Sequence, residues 1–294
     1  MVSGHDGRTC VVVTQSLAVS RNGSSEADQL AASVVIPLYN EEAIIDENLE
    51  ALAYFFDSIV GLQKWGFVLV DNGSTDGTPS RVQAALSRWP LSRAVNLAEP
   101  NYGAALRAGL QSATARWVFV LDVEQWDLPF LAWSWMNRDS YDVFMGSKRA
   151  DPTLNYQAPY RKFLSCCLNG LLQTLFEFSG SDTHGPKLVD RVSLAEIIAI
   201  CCLDRGQYDT ELVLRALRSC KRLVEIPVVY RESRPPRNLM IKKIVWNLLA
   251  LRRLVRIMKS VPYQGTVRLY RLSREEVLSQ VELVAPNLAK SRNV

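Results

Sequence analysis

Two carboxylates, Asp122 and Glu124, follow the apolar run Trp117 to Leu121 in the stretch FVLDVEQWD, Phe119 to Asp127. On an extended strand, residues i and i+2 point the same way, so both acids can face one cation. Mg²⁺ or Mn²⁺ takes oxygen ligands of this kind and commonly bridges carboxylates to a diphosphate. A strand end that simply meets water fits the same two residues. Asp71 ends another apolar run, in VLVDNGSTDGT, where the glycines permit a tight turn. A carboxylate there can accept from the imide N–H of a nucleobase, or it can cap the next helix, as Asp76 can. In PLYNE, Pro37 to Glu41, Tyr39 offers a flat face to a base or ribose and Glu41 a further acceptor. Asn40 ahead of two glutamates also reads as a helix cap.

These motifs need elements to hold them. SVVIP is a short β-branched run, and Glu41 to Ile59 carries apolar residues at helical spacing. GFVLVD, SRAVNLAE, RWVFVLD and YDVFMGS read as further strands, separated by helices that include YGAALRAGLQSA and DLPFLAWSWMN. Such alternation predicts an α/β fold, a mostly parallel sheet with helices on both faces. Ligands of these sheets bind beyond the carboxyl ends of the strands, and PLYNE, DNGSTDG and DVE all fall at such ends. After Asp151 come a long apolar helix (Tyr160 to Phe178), a loop with a short strand in SGSDTHGPKLVDR, the amphipathic helix YDTELVLRALRSC, the strand RLVEIPVVYRE and a basic helix from Leu239 to Met258. The apolar helix reads as core, or as a helix dipping into a bilayer. Asn169, Gln173 and Glu177 recur along it every four residues as one polar stripe.

The chain has 294 residues, 48 % hydrophobic and 22 % charged, with a net charge of +4. That mild balance selects no partner, but between Lys221 and Lys259 lie eleven Lys or Arg residues against Glu225 and Glu232. A basic segment of this kind suits phosphates. Nothing at the N-terminus has the form of a signal peptide. The six cysteines lack metal-ligand spacing and read as buried thiols of a reducing cytoplasm. Leu239 to Met258 carries five basic residues, too many for a spanning helix, and has the profile of one lying at a membrane interface.

PLYNEE, VDNGSTDGT, EPNYGAALRAGLQSA and the acid pair of LDVEQ occur in the order seen in inverting family 2 glycosyltransferases of the GT-A fold. The chain resembles in particular the dolichyl- and polyprenyl-phosphate mannose or glucose synthases, from about Ser33 to Lys243. The resemblance implies that Pro37, Tyr39, Glu41 and Asp71 line the nucleotide pocket and that Asp122 and Glu124 hold Mg²⁺ or Mn²⁺. It implies that Arg149, Arg161 and Ser165 meet the acceptor's phosphate, and that one of Arg231, Arg234 or Arg237 reaches the donor diphosphate. The chain departs from the pattern in several places: Asp-x-Glu replaces Asp-x-Asp, Asn72 replaces an acid, Lys148 replaces an arginine and His184 a serine.

The resulting expectation is an enzyme that moves a hexose from a UDP- or GDP-sugar to a lipid phosphate, peripheral at the cytoplasmic face of a membrane. A membrane-spanning partner subunit is a further possibility, and no feature calls for nucleic acid. An anionic phosphate acceptor needs no general base. A sugar hydroxyl does, and Asp209 in YDTELVLR stands near where hydroxyl-transferring relatives carry theirs. The same residue also reads as an acid favoured by a helix N-terminus. An inactive nucleotide-binding scaffold is the alternative outside catalysis, whereas a dinucleotide-binding domain lacks its G-x-G-x-x-G. The expected organisation is an extension over 1–31, a transferase domain over 32–235, and a basic helix with tail over 236–294.

Overall fold

The computed structural model describes residues 30–59, 64–231, 240–265 and 269–284. The strands are β1 (Ala32–Leu38), β2 (Trp65–Asn72), β3 (Arg93–Leu97), β4 (Trp117–Val120), β5 (Val143–Ser147), β6 (Lys187–Asp190), β7 (Leu223–Pro227) and β8 (Leu269–Arg271). They form one sheet in the order β3-β2-β1-β4-β6-β5-β7-β8. All pairings are parallel except the two made by β6, which runs against β4 and β5.

The helices are α1 (Ile45–Tyr54), α2 (Thr78–Arg88), α3 (Tyr102–Ser112), α4 (Leu128–Met136), α5 (Pro159–Phe176), α6 (Ala195–Ile200), α7 (Tyr208–Arg218), α8 (Met240–Lys259) and α9 (Arg274–Val284). Both sheet faces are covered, which is why the central strands read as unbroken apolar runs. Val34, Ile36, Phe67, Leu69 and Phe119 enter one core layer with residues of α1, α4 and α9. Val35, Val68, Val70, Val118 and Val120 enter the other with residues of α3, α5, α7 and α8.

Helix starts are set locally and aim the loops of the carboxyl edge. The Asn101 side chain caps α3 by accepting from Ala104 N at 3.1 Å. Asp127 caps α4 by accepting from Phe130 N at 2.9 Å. Helix α3 lies unusually close to the sheet: a Cβ on Gly109 would stand 2.4 Å from Val35 Cγ1. Any side chain at 109 would lift α3 and carry Tyr102, at its first turn, away from the strand ends.

Burial along α5 is mixed, and the expectation of buried cysteines is corrected. Of the polar stripe of α5, Asn169 is buried while Gln173 and Glu177 are exposed, and Asn169 and Gln173 donate to Gly180 O at 3.5 and 3.3 Å. Phe163 (68 % exposed), Leu171 (41 %) and Leu175 (47 %) also face outward. Leu172 and Phe176 are buried in the core beside Asn169, whose amide finds a backbone acceptor there. Cys166, Cys167 and Cys220 are exposed, not buried, although no disulfide joins the described cysteines.

The sequence patterns do not announce α6, β8 and α9, nor the reversal of β6. Residues 1–29 lie outside the described residues, as do Arg234 and Arg237.

Candidate active site

The loops after β1 and β2 are stitched together at the carboxyl edge. Asn40, in the left-handed region at φ 55°, donates its N–H to Ser74 Oγ (3.0 Å) and accepts at Oδ1 from Thr75 N (2.7 Å). Glu41 N donates to Thr78 Oγ1 at 2.8 Å, and Gly77 N donates to Glu42 Oε2 at 2.9 Å. Asp71 is buried and accepts from Ser74 N at 3.1 Å, which fixes its carboxylate at the strand end. Pro37, Tyr39 and Glu41 are half-buried alongside. Asn72, where an acid was expected, accepts from Asn101 N at 2.6 Å and so ties this turn to the start of α3.

The acid pair stands differently from the expected extended strand. β4 ends at Val120, and Asp122 pairs with Gln125 across a tight turn whose two central residues are Val123 and Glu124. The i, i+2 alternation therefore does not set their directions; the turn does. Asp122 Oδ1 accepts from Tyr102 OH at 3.3 Å. Burial, then the Asp209 carboxylate, push the Asp122 carboxyl above its usual range; Tyr102, Lys187 and Lys148 act against that. Burial and the same two carboxylates push the Tyr102 phenol well up, so it remains a donor.

Asp209 reaches this cluster from the first turn of α7, where it forms an ion pair with Lys187, Nζ to Oδ1 2.7 Å, each side chain at most 3 % exposed. Lys187 stands there because β6 is antiparallel. Its first residue pairs with Val120 and Met145, close to the carboxyl ends of β4 and β5. Lys187 Nζ also donates to Gly185 O at 2.9 Å, while Asp209 Oδ2 is buried with no hydrogen-bond partner among the described residues.

A basic wall follows β5. Lys148 lies 3.9 Å from Asp182 and 4.6 Å from the centroid of the Tyr230 ring. Arg149 Nε donates to Ser181 O at 2.9 Å, and the Ser147 and Ser181 hydroxyls share a hydrogen bond of 2.7 Å. The fully buried Glu225 of β7 holds this loop, accepting at Oε1 from Ser181 N, Ser181 Oγ and Asp182 N. The two loops meet closely: a Cβ on Gly185 would fall 1.8 Å from Gly146 O. His184, where the resemblance expects serine, is held between Thr183 Oγ1 (3.1 Å) and Gly206 O (2.6 Å).

Contacts among the described residues thus join Asp71, Asn72, Tyr102, Asp122 and Asp209 into one edge. Arg231 is exposed, stacks over Tyr156 at 5.6 Å, and its carbonyl accepts from Gln125 Nε2, so the acidic turn is joined to the exit of β7. Arg161 and Ser165 are half-buried on α5. Arg161 Nε donates to Tyr160 OH at 3.2 Å. Tyr102 and Lys187 were missed as site residues. Lys187 did leave a signal, as a lone cation opening the apolar strand KLVD.

Asp122 and Glu124 offer oxygen ligands to a cation. Among the described residues no three or more His, Cys, Asp or Glu gather into a ligand set. Asp122 and Glu124 are two hard donors, the number Mg²⁺ takes when phosphates and water complete its shell. A cation would also offset the crowding of Asp122 and Asp209.

Residues 33–195 match the family model described as glycosyl transferase family 2. The chain is 28 % identical over 160 residues to a dodecaprenyl-phosphate galacturonate synthase of Rhizobium johnstonii, covering 52 % of this chain and 45 % of that one. It is 30 % identical over 207 residues to an undecaprenyl-phosphate 4-deoxy-4-formamido-L-arabinose transferase of Edwardsiella ictaluri, covering 68 % and 60 %. The chain thus spans about half to three fifths of the length of these relatives. Among solved structures, glucosyl-3-phosphoglycerate synthase of Mycobacterium tuberculosis with uridine diphosphate superposes with a TM-score of 0.56 at 16 % identity, over 81 % of this chain and 83 % of that one. A mannosyltransferase of Pyrobaculum calidifontis in complex with GDP-mannose and Mn²⁺ superposes with a TM-score of 0.52 at 20 % identity, over 82 % and 66 %. At such identities the likeness is one of fold, GT-A.

Proposed function

The chain belongs to glycosyltransferase family 2, and from that premise we propose that it transfers a hexose from a UDP- or GDP-sugar to a polyprenyl phosphate with inversion. The nucleotide stacks by Tyr39, with Asp71 accepting from the base. Asp122 and Glu124 hold Mg²⁺ or Mn²⁺. When bound, the metal neutralises charge on the leaving nucleoside diphosphate.

The observation that carries the acceptor class is the ion pair of Asp209. A carboxylate held 2.7 Å from a buried ammonium is poorly suited to taking a proton from a sugar hydroxyl. A lipid phosphate brings its own anionic oxygen. That oxygen attacks the anomeric carbon, forming the C–O bond as the bond to the diphosphate oxygen breaks, and the electron pair leaves with the nucleoside diphosphate. No proton is removed from the nucleophile, so Lys148 and Arg149 have only to attract and orient the phosphate. The names of the two curated relatives, both transferases to polyprenyl phosphates, support this acceptor.

The hydroxyl-acceptor reading draws on one observation, the unpartnered Asp209 Oδ2. An assay separates the two. UDP- and GDP-sugars are offered with undecaprenyl or dolichyl phosphate in detergent, with Mn²⁺ or with EDTA, and label is counted in the organic phase. Donor- and metal-dependent transfer to the lipid is expected. Transfer to a soluble saccharide with no lipid requirement overturns the proposal.

The lipid would be met at the cytoplasmic membrane surface. No helix of the described residues is long and apolar enough to cross a bilayer. The outward Phe163, Leu171 and Leu175 of α5 suit the acyl boundary, and the exposed Arg252, Arg253, Arg256 and Lys259 of α8 suit anionic headgroups. A membrane-spanning partner subunit is the other way to bring the lipid to the site.

A further inference from the structure

The segment after α8 returns to the sheet and brings two arginines, three residues apart, to two buried carboxylates. β8 pairs in parallel with β7, with Arg271 opposite Glu225, and Arg271 Nε stands 3.2 Å from Glu225 Oε2. α9 then buries Val277 and Val281 in the core layer that holds α4, and Trp133 Nε1 of α4 donates to Gln280 Oε1 at 2.7 Å. At the start of α9, Arg274 Nη1 donates to Asp127 Oδ1 at 2.8 Å and to Pro227 O at 3.1 Å.

Asp127 is a junction. Its Oδ1 also caps α4 through Phe130 N, and its Oδ2 accepts from Val229 N at 3.1 Å. The acidic turn Asp122 to Gln125 lies immediately before it, and the exit of β7 leads from Val229 to Arg231, whose carbonyl accepts from Gln125 Nε2. The Asp127 carboxylate therefore fixes the start of α4, two residues after the acidic turn, against the exit of β7, to which Gln125 ties the turn itself, and its counter-charge comes from the C-terminal segment. The Asp127 and Arg274 side chains are 4 % and 14 % exposed, so the charge has little water to lean on. The Glu225 junction is different. It is satisfied at Oε1 by three donors before Arg271 arrives, and the Arg271 side chain is 56 % exposed.

We propose that Arg274 is a positioning residue for the donor site: through Asp127 it holds the acidic turn against the exit of β7. The proposal rests on the reading of that edge as the nucleotide–metal site. Arg274 touches neither donor nor metal in this reading. It fixes the loop whose carboxylates do, as residues behind metal ligands commonly fix ligand direction.

The test uses the full chain and calorimetric binding of UDP and GDP with Mn²⁺, well below the thermal midpoint of each variant. Arg274→Met is expected to weaken nucleotide–Mn²⁺ binding about tenfold or more, and Arg274→Lys to recover part of it. Arg271→Met is the control, expected to lower the thermal midpoint without changing nucleotide affinity. Arg274→Met that melts earlier but binds nucleotide as the wild type does would assign the contact to stability alone and overturn the proposal. Equal weakening by Arg271→Met would overturn it as well, since the effect would then follow general loosening of the C-terminal segment. A wild-type chain that binds neither nucleotide overturns the site reading itself, and the clamp with it.

Discussion

Lys187 and Asp209 meet at 2.7 Å from a reversed strand and a helix N-terminus, and each is almost wholly buried beside Asp122. This pair changes what a substitution at Asp209 would mean. Removing one partner leaves an uncompensated buried charge, at a cost of about 3–5 kcal/mol. Lys187→Met and Asp209→Asn should each lower the denaturant midpoint by a corresponding amount. The double variant should recover much of the loss, because neither charge is then stranded. Single and double variants that are equally unstable would mean the pair is not coupled. Loss of activity in Asp209→Asn alone therefore does not identify a base; the double variant, refolded and assayed with lipid phosphate, does.

Asp142, on the far side of the sheet edge, gives a stability signal that depends on pH. Burial alone would raise its carboxyl. Hydrogen bonds from Arg222 N (2.8 Å), Arg222 Nε (3.3 Å) and Ser193 Oγ (3.0 Å) outweigh burial and hold it below the usual range. A depressed folded value stabilises the fold above the unfolded value of about 3.9, and that contribution is lost as pH falls through the folded value. Asp142→Asn should therefore cost about 1–2 kcal/mol near pH 7. The gap to wild type in urea melts should shrink as the pH drops below about 4. A gap that stays constant down to pH 3 would place the effect in packing.

The layered sheet and the polar edge were legible because both rest on local signals. Apolar runs of strand length ended in Asp71 and Asp122, and segments of helical spacing stood between them. What escaped depends on partners distant in sequence. Nothing local tells KLVD to run antiparallel, so Lys187 could not be placed opposite Asp209. The burial of Asn169 on α5 is not readable from sequence, because its acceptor, Gly180 O, becomes available only once the chain has folded back. β8 has three residues, and its role follows from finding a free edge at β7. The strand geometry assumed for Asp122 and Glu124 failed for a smaller reason: β4 stops two residues before Asp122, and a turn begins.

The outward apolar face of α5 predicts a surface effect separable from folding. Leu171→Ser and Leu175→Ser alter side chains 41 % and 47 % exposed, so they should change the thermal midpoint little. They should weaken sedimentation with vesicles containing anionic lipid. Replacing Arg252 and Arg253 by Gln should weaken it further, and more so at low salt, where the electrostatic contribution is largest. Binding to neutral and anionic vesicles that is equal and insensitive to all four changes would remove α5 and α8 from the membrane reading.

Tyr102 and the two acids test the proposed metal site by a graded series. Asp122→Ala removes the carboxylate that Tyr102 holds at 3.3 Å and should abolish transfer and Mn²⁺-dependent nucleotide binding. Tyr102→Phe keeps the carboxylate and deletes one neutral hydrogen-bond donor to it. It should leave the fold intact and lower turnover by about tenfold, the scale of losing one orienting contact behind a ligand. Glu124→Ala is the most informative, because Glu124 sits at the centre of the turn and not on a strand beside Asp122. If both acids ligate one ion, Glu124→Ala should raise the Mn²⁺ concentration needed for half-maximal rate by about ten- to a hundredfold while saturating Mn²⁺ restores much of the rate. An unchanged metal requirement would leave Asp122 as the one protein ligand of the pair and assign Glu124 to the turn alone.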